Sequence, residues 1–145
     1  MKSIRLWFCL GLLPLVAAAA TLDELFAERL KSVVAVEFFV QAETERQPVT
    51  VFGAVIDDAG TVILPAAAIM PSVAASQLRE FKVYRAGNTE ATPGTYLGQD
   101  AYTGWHFVRI AESGRAGLLP ISHWKAMSTD PKIIEELWGI GLRNK

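Results

Sequence analysis

Val49-Thr50-Val51-Phe52-Gly53-Ala54-Val55-Ile56-Asp57-Asp58-Ala59-Gly60-Thr61-Val62-Ile63-Leu64-Pro65 decides how this chain folds. Two runs of β-branched and apolar residues flank Asp57-Asp58-Ala59-Gly60. Asp and Gly tolerate the positive φ of tight hairpins, so the stretch predicts a β-hairpin with strands over 49–56 and 61–64. Gly53 inside the first strand suggests a bulge or a sharp bend. Pro65 lacks an N–H and marks the end of the second strand.

Upstream, Val34, Val36, Phe38 and Val40 alternate with Val33, Ala35, Glu37 and Phe39. That period of two predicts a strand over 33–40, buried on one face and partly on the other. Residues 41–47 are mostly polar and form a surface loop closed by Pro48. Before the strand, Thr21-Leu22-Asp23-Glu24 has the pattern of a capping box. Leu22, Leu25, Phe26, Leu30 and Val33 recur at helical spacing, so 22–32 reads as a short amphipathic helix packed on the body. Asp23 and Glu24 suit the positive end of its dipole.

Downstream, Ala66 to Met70 has room for one helical turn before Pro71. Further strands are expected over 78–84, 91–97 and 104–111, the first two joined by an Arg85-Ala86-Gly87-Asn88 turn. Leu118, Leu119 and Ile121 make a short apolar piece. Six short strands with turn signals between them indicate a small antiparallel barrel or sandwich. Neither an internal repeat nor a low-complexity stretch interrupts them. The 145 residues favour one domain, and an apolar fraction of 51% is ample for its core. Residues 127–145 form a separate C-terminal segment in which 133–142 reads as either a strand or a short helix.

Residues 1–20 read as a secretory signal peptide. Lys2 and Arg5 supply the positive end, Leu6 to Val16 the apolar stretch, and Ala18-Ala19-Ala20 the small residues for cleavage. The alternative is an uncleaved inner-membrane anchor through residues 6–20, although that run is shorter than the roughly 20 residues a spanning helix needs. An exported protein, periplasmic or secreted, is expected. Cys9 is the only cysteine and lies within the signal, so the mature chain would depend on its core without disulfides. Net charge is −1, and losing Lys2 and Arg5 with the signal takes it to −3. With no basic run and no aromatic residues interleaved with Arg or Lys, nucleic-acid binding finds no support.

The order of these landmarks resembles the first barrel of the trypsin-like serine proteases, most closely the HtrA (Deg) family of exported bacterial proteases. The resemblance spans roughly residues 21–142. In that family an Asp- and Gly-containing turn leads into a strand ending Thr-Asn-x-His-Val, which carries the catalytic His. The counterpart of that His here is Ala67, in Leu64-Pro65-Ala66-Ala67-Ala68. A Gly-x-Asp follows in the family, then Asp-(Leu/Ile)-Ala-(Val/Leu), whose Asp belongs to the triad. Gly98-Gln99-Asp100 is kept here, and the counterpart of the triad Asp is Gly104. Leu119-Pro120-Ile121 resembles the next apolar segment, and residues 137–142 the start of a second barrel. Nothing matches the Gly-Asn-Ser-Gly-Gly nucleophile loop. The resemblance therefore implies an antiparallel six-stranded barrel with a short N-terminal helix over 21–126.

Serine-protease chemistry needs a base beside the Ser and a carboxylate to hold that base. A methyl group at 67 and a hydrogen at 104 do neither, so no catalytic residue is assigned. An active enzyme would need another base. His106 could line the old cleft, but is more simply an exposed or groove-edge side chain; His123 belongs to a surface loop. The two His lie far apart, with no cysteine or carboxylate pair beside them, so no metal or other cofactor is expected. Ser113-Gly114 lacks a nucleophile elbow and reads as a turn. Asp100 matches a structural, turn-capping position, and Glu135-Glu136 a solvated pair. Trp105 and Trp124 are either exposed contact residues or rim packing.

The expected function is that of an exported, catalytically inactive protease-like module that binds a peptide or a protein. A second expectation is an incomplete piece of a longer HtrA-like homologue without activity of its own. Self-association is also expected, because a single barrel exposes the surface its companion would cover. A membrane enters only if the signal stays attached.

Overall fold

The computed structural model describes residues 21–124. The expectations for the signal at 1–20, for the 127–145 segment and for Glu135-Glu136 lie outside the described residues. Six strands follow one helix: α1 (Leu22–Leu30), β1 (Val33–Gln41), β2 (Arg46–Val55), β3 (Thr61–Leu64), β4 (Leu78–Arg85), β5 (Thr92–Gln99) and β6 (His106–Ile110). The strands close into an antiparallel barrel in the order β1-β2-β3-β6-β5-β4. Of barrel and sandwich, the chain forms the barrel.

Alternation fills the interior. Val34, Val36 and Phe38 of β1, Val62 and Leu64 of β3, Phe81 and Val83 of β4, and Val108 and Ile110 of β6 are all buried. Phe38 stacks on Phe81 with centroids 5.0 Å apart, and Phe81 on Tyr96 at 5.4 Å. Such offset aromatic pairs add about 0.5–1.5 kcal/mol to what their burial contributes.

The Asp57 hairpin forms as its residues dictate. Gly60 adopts φ 73°, and the Asp57 carboxylate accepts from the Thr61 N–H at 2.9 Å. At Gly53 the requirement is space: a β-carbon there would sit 2.6 Å from side-chain atoms of Leu64 and Val62 and 2.8 Å from the Ile63 carbonyl. The bare glycine lets β2 cross tightly onto β3.

Two expectations need correction. β2 begins at Arg46, so Pro48 lies within the strand opposite Phe39. The Val55 N–H points back toward Ser32 at the head of β1, and no bulge interrupts β1–β2 pairing. Alternation therefore turns the nitrogen of Pro48 away from β1. β3 pairs only with Ala54 and Val55, so among the described residues no strand pairs with that margin, and a missing N–H there breaks no ladder bond. Helix α1 has its capping box, with Thr21 Oγ1 accepting from the Glu24 N–H and Glu24 Oε2 from the Thr21 N–H. Yet none of its residues is buried, and Leu22, Leu25 and Phe26 stay exposed. The helix lies against the barrel only at its C-terminal end, where Leu30 is half-buried.

That end is fixed by Ser32. Its buried hydroxyl donates to the Leu119 carbonyl and accepts from Trp124 Nε1 at 2.9 Å, and Arg29 lies 4.5 Å over the Trp124 ring. Among the described residues no helix is long and apolar enough to cross a membrane.

Candidate functional site

β3 and β6 lie side by side, with Leu64 opposite His106, so the segment after β3 and the β5–β6 turn emerge at the same end of the barrel. The first of these segments is Pro65 followed by a single 3-10 turn at Ala66–Ala68. The second is the turn at 100–105. There the Asp100 N–H donates to the Trp105 carbonyl at 2.8 Å, the Gly104 N–H donates to the Asp100 carbonyl at 2.8 Å, and Gln99 Nε2 donates to the Gly104 carbonyl at 2.9 Å. Asp100 closes the turn from within: its Oδ2 accepts from the Thr103 N–H at 2.8 Å and the Thr103 hydroxyl at 2.5 Å. The Thr103 hydroxyl, then its N–H, hold the Asp100 carboxyl below the usual carboxylate range.

The two segments touch. A β-carbon on Gly104 would lie 3.3 Å from the β-carbon of Ala66, the residue beside Ala67. The turn that carries Ala67 thus lies against Gly104, although the two positions are 37 apart in the sequence. Ala67 is exposed, and Gly104 takes φ 73°, a backbone suited to glycine. Neither position offers a group that moves or holds a proton.

His106 is corrected. It is 3% exposed and points into the barrel, not to the surface or the groove edge. Along β6 residues 106, 108 and 110 face inward, while Trp105 and Phe107 are apolar on the other face, so sequence alone does not say which face is the core. Its Nδ1 lies 2.9 Å from the Tyr96 hydroxyl, with ring centroids 6.1 Å apart. Burial pushes the Tyr96 hydroxyl above its ordinary value of 10.0, which keeps it a donor at neutral pH. Tyr96 Oη and Nδ1 thus share a hydrogen bond, and Nε2 has no partner among the described residues.

The other candidates fall outside this cluster. His123 is exposed, with Nε2 3.2 Å from Asp58 Oδ2. Ser113 lies in a 3-10 turn at Glu112–Gly114, packed closely on Thr92 at Gly114. Trp124 packs against Arg29 and Ser32 as described, whereas Trp105 is 44% exposed and Tyr102, at the turn tip, fully so. Among the described residues no group of three His, Cys, Asp or Glu could hold a metal ion.

A cavity of about 160 Å³ lies beside the turn. Its walls include Ile69, Met70 and Val73 from the segment after β3, Leu78 of β4, and Tyr96 and His106. It opens where β4 and β5 part. Those strands pair only at Lys82–Pro93 and Val83–Thr92, and beyond them residues 78–81 and 94–99 run without a shared ladder. A bulge assists: Glu80 takes φ 53°, and β1–β4 pairing shifts there. A larger cavity of about 370 Å³ lies at the opposite end, between α1 and the turn after β4, lined by Leu30, Lys31, Val33, Arg85 and Leu118 among others. It lacks a buried polar side chain, and no candidate residue borders it.

Sequence reasoning missed Tyr96 and Gln99. The Gly94 and Gly98 flanking Tyr96 were a signal, because small residues beside one large aromatic mark a place where the wall thins. No protein-family model matches the sequence, and no curated protein matches it significantly.

Proposed function

We propose that this chain is an exported, catalytically inactive serine-protease-like barrel that binds a peptide or protein segment at the end where the Ala66–Ala68 turn and Gly104 meet. The observation that carries the reading is the approach of Ala66, next to Ala67, to Gly104. A barrel with the strand order β1-β2-β3-β6-β5-β4 brings the segment after β3 and the β5–β6 turn into contact, and these are the places where an HtrA-like protease holds its His and Asp. Here they carry a methyl group and a hydrogen. Base and orienter are both missing, so an acyl-transfer cycle has no route for the serine proton. What remains is a shallow end with exposed Tyr102, Trp105 and Met70, the kind of aromatic and thioether surface that favours polypeptide contacts. Export rests on residues 1–20.

The test is a paired assay on the purified full chain. Incubation with a fluorophosphonate probe and with unfolded casein is expected to give neither labelling nor cleavage. Casein binding is expected by fluorescence anisotropy and is expected to weaken severalfold in Trp105→Ala. Covalent labelling, or cleavage, overturns the reading of inactivity. Undiminished binding in a folded Trp105→Ala chain overturns the placement of the binding surface.

A further inference from the structure

The cavity between β4 and β5 joins the proposed binding end through Gln99, which lines it and also donates to the Gly104 carbonyl. We infer that this cavity takes one aliphatic side chain of an extended peptide and that the peptide's backbone hydrogen-bonds His106 Nε2. The inference rests on the reading of this end as a polypeptide-binding surface.

Size comes first. About 160 Å³ is well below the roughly 300–1,000 Å³ of small-molecule sites, and it suits a single side chain. Ile69, Val73 and Leu78 make the wall apolar, so that side chain is aliphatic.

The polar contact follows from His106. Tyr96 Oη occupies Nδ1 and Nε2 is left without a partner. A buried ring nitrogen without a partner is costly, so a ligand that supplies a hydrogen-bonding group is favoured over a purely apolar one.

An extended backbone is the natural carrier of such a group, since each residue offers an N–H and a C=O. β5 runs along the cavity from Tyr96 to Gln99 without β4 beside it as a ladder partner, and a strand in that condition accepts an added chain through main-chain bonds. Nε2 is shielded from solvent, so the peptide backbone reaches it by displacing part of the wall. Met70, unbranched and 70% exposed, is the wall residue with the most freedom to move.

The experiment titrates the ¹⁵N-labelled full chain with N-acetyl-leucine N-methylamide, a minimal unit with one aliphatic side chain and backbone carbonyls. Saturable shifts are expected in the millimolar range, confined to Val73, Leu78, Tyr96 and His106, with His106 Nε2 itself moving. N-acetyl-glycine N-methylamide, which lacks the side chain, is expected to bind at least tenfold more weakly. His106→Phe removes Nε2 while keeping bulk, and His106→Leu does so with less; each is expected to weaken the leucine probe at least tenfold. The inference is overturned if the folded native chain shows no saturable shift, or if Nε2 stays still at saturation. Equal binding of the two probes, or equal affinity in either folded variant, overturns it as well. Native-chain readings decide the matter even if neither variant folds. Fluorophosphonate labelling of the same sample would refute inactivity while leaving the cavity result standing, so the two failures are distinguishable.

Discussion

Gly104 shapes its turn through the backbone. Its φ of 73° is a conformation in which a β-carbon is disfavoured by about 1–2 kcal/mol, and that β-carbon would also press on Ala66 at 3.3 Å. Gly104→Ala is therefore expected to destabilise the barrel by about 1–2 kcal/mol, read as a lower urea midpoint at unchanged slope. Asp100, four residues earlier, works the same turn by charge. Because the Thr103 hydroxyl and N–H hold its carboxyl below the ordinary value of 3.8, Thr103→Ala is expected to return it upward, measured by carbon-13 titration of the carboxyl. Asp100 was legible as a turn-capping residue through the resemblance, where it matches the Asp of the Gly-x-Asp pattern. The sequence could not place His106, whose burial depends on which of two apolar faces of β6 meets the core. Nor could it expose the partnership with Tyr96, because that contact spans two strands whose register no local residue announces.

Among the elements, the strands were legible and the helix's environment was not. Alternation in β1 and the Asp57 turn set β1, β2 and β3 within a few residues, since period and turn chemistry act locally. The early start of β2 escaped notice because Pro48 normally argues against a strand, and only the free margin beside it removes the objection. Helix α1 carries an apolar stripe that predicts burial, yet the barrel interior is already filled by β1, β3, β4 and β6, and the stripe remains outside. The Ser32 hydroxyl ties the helix end, the barrel and the 119–124 segment together, beside the Leu119 N–H that donates to the Lys31 carbonyl and Arg29 over the Trp124 ring. Ser32→Ala leaves the Leu119 carbonyl and the Trp124 N–H without their partner and is expected to destabilise by about 1–3 kcal/mol. Hydrogen exchange should show the added opening first in α1 and at residues 118–124, ahead of β1.

For the molecule as a whole, pH acts through the Asp57 turn. Burial alone would raise the Asp57 carboxyl, but donation from the Thr61 N–H, the charge of Arg109 and the Ala59 N–H outweigh it and hold the group below 3.8. The Thr61 hydroxyl contributes in the same direction, although its geometry falls short of a formed hydrogen bond. A group whose folded value is depressed gives stability above its unfolded value and loses it as pH falls through the folded one. Acid should thus weaken the native chain below about pH 4 more steeply than Asp57→Asn, which keeps the acceptor oxygen without the charge; thermal melts across that range check it. Pro48 bears on a different hazard, met only when many copies crowd together. The outer rim of β2 would otherwise offer an uninterrupted row of amides for a stranger's strand to copy, and the imino ring breaks that template partway along. The barrel is in this way guarded against fibrous stacking along a margin that no strand covers among the described residues.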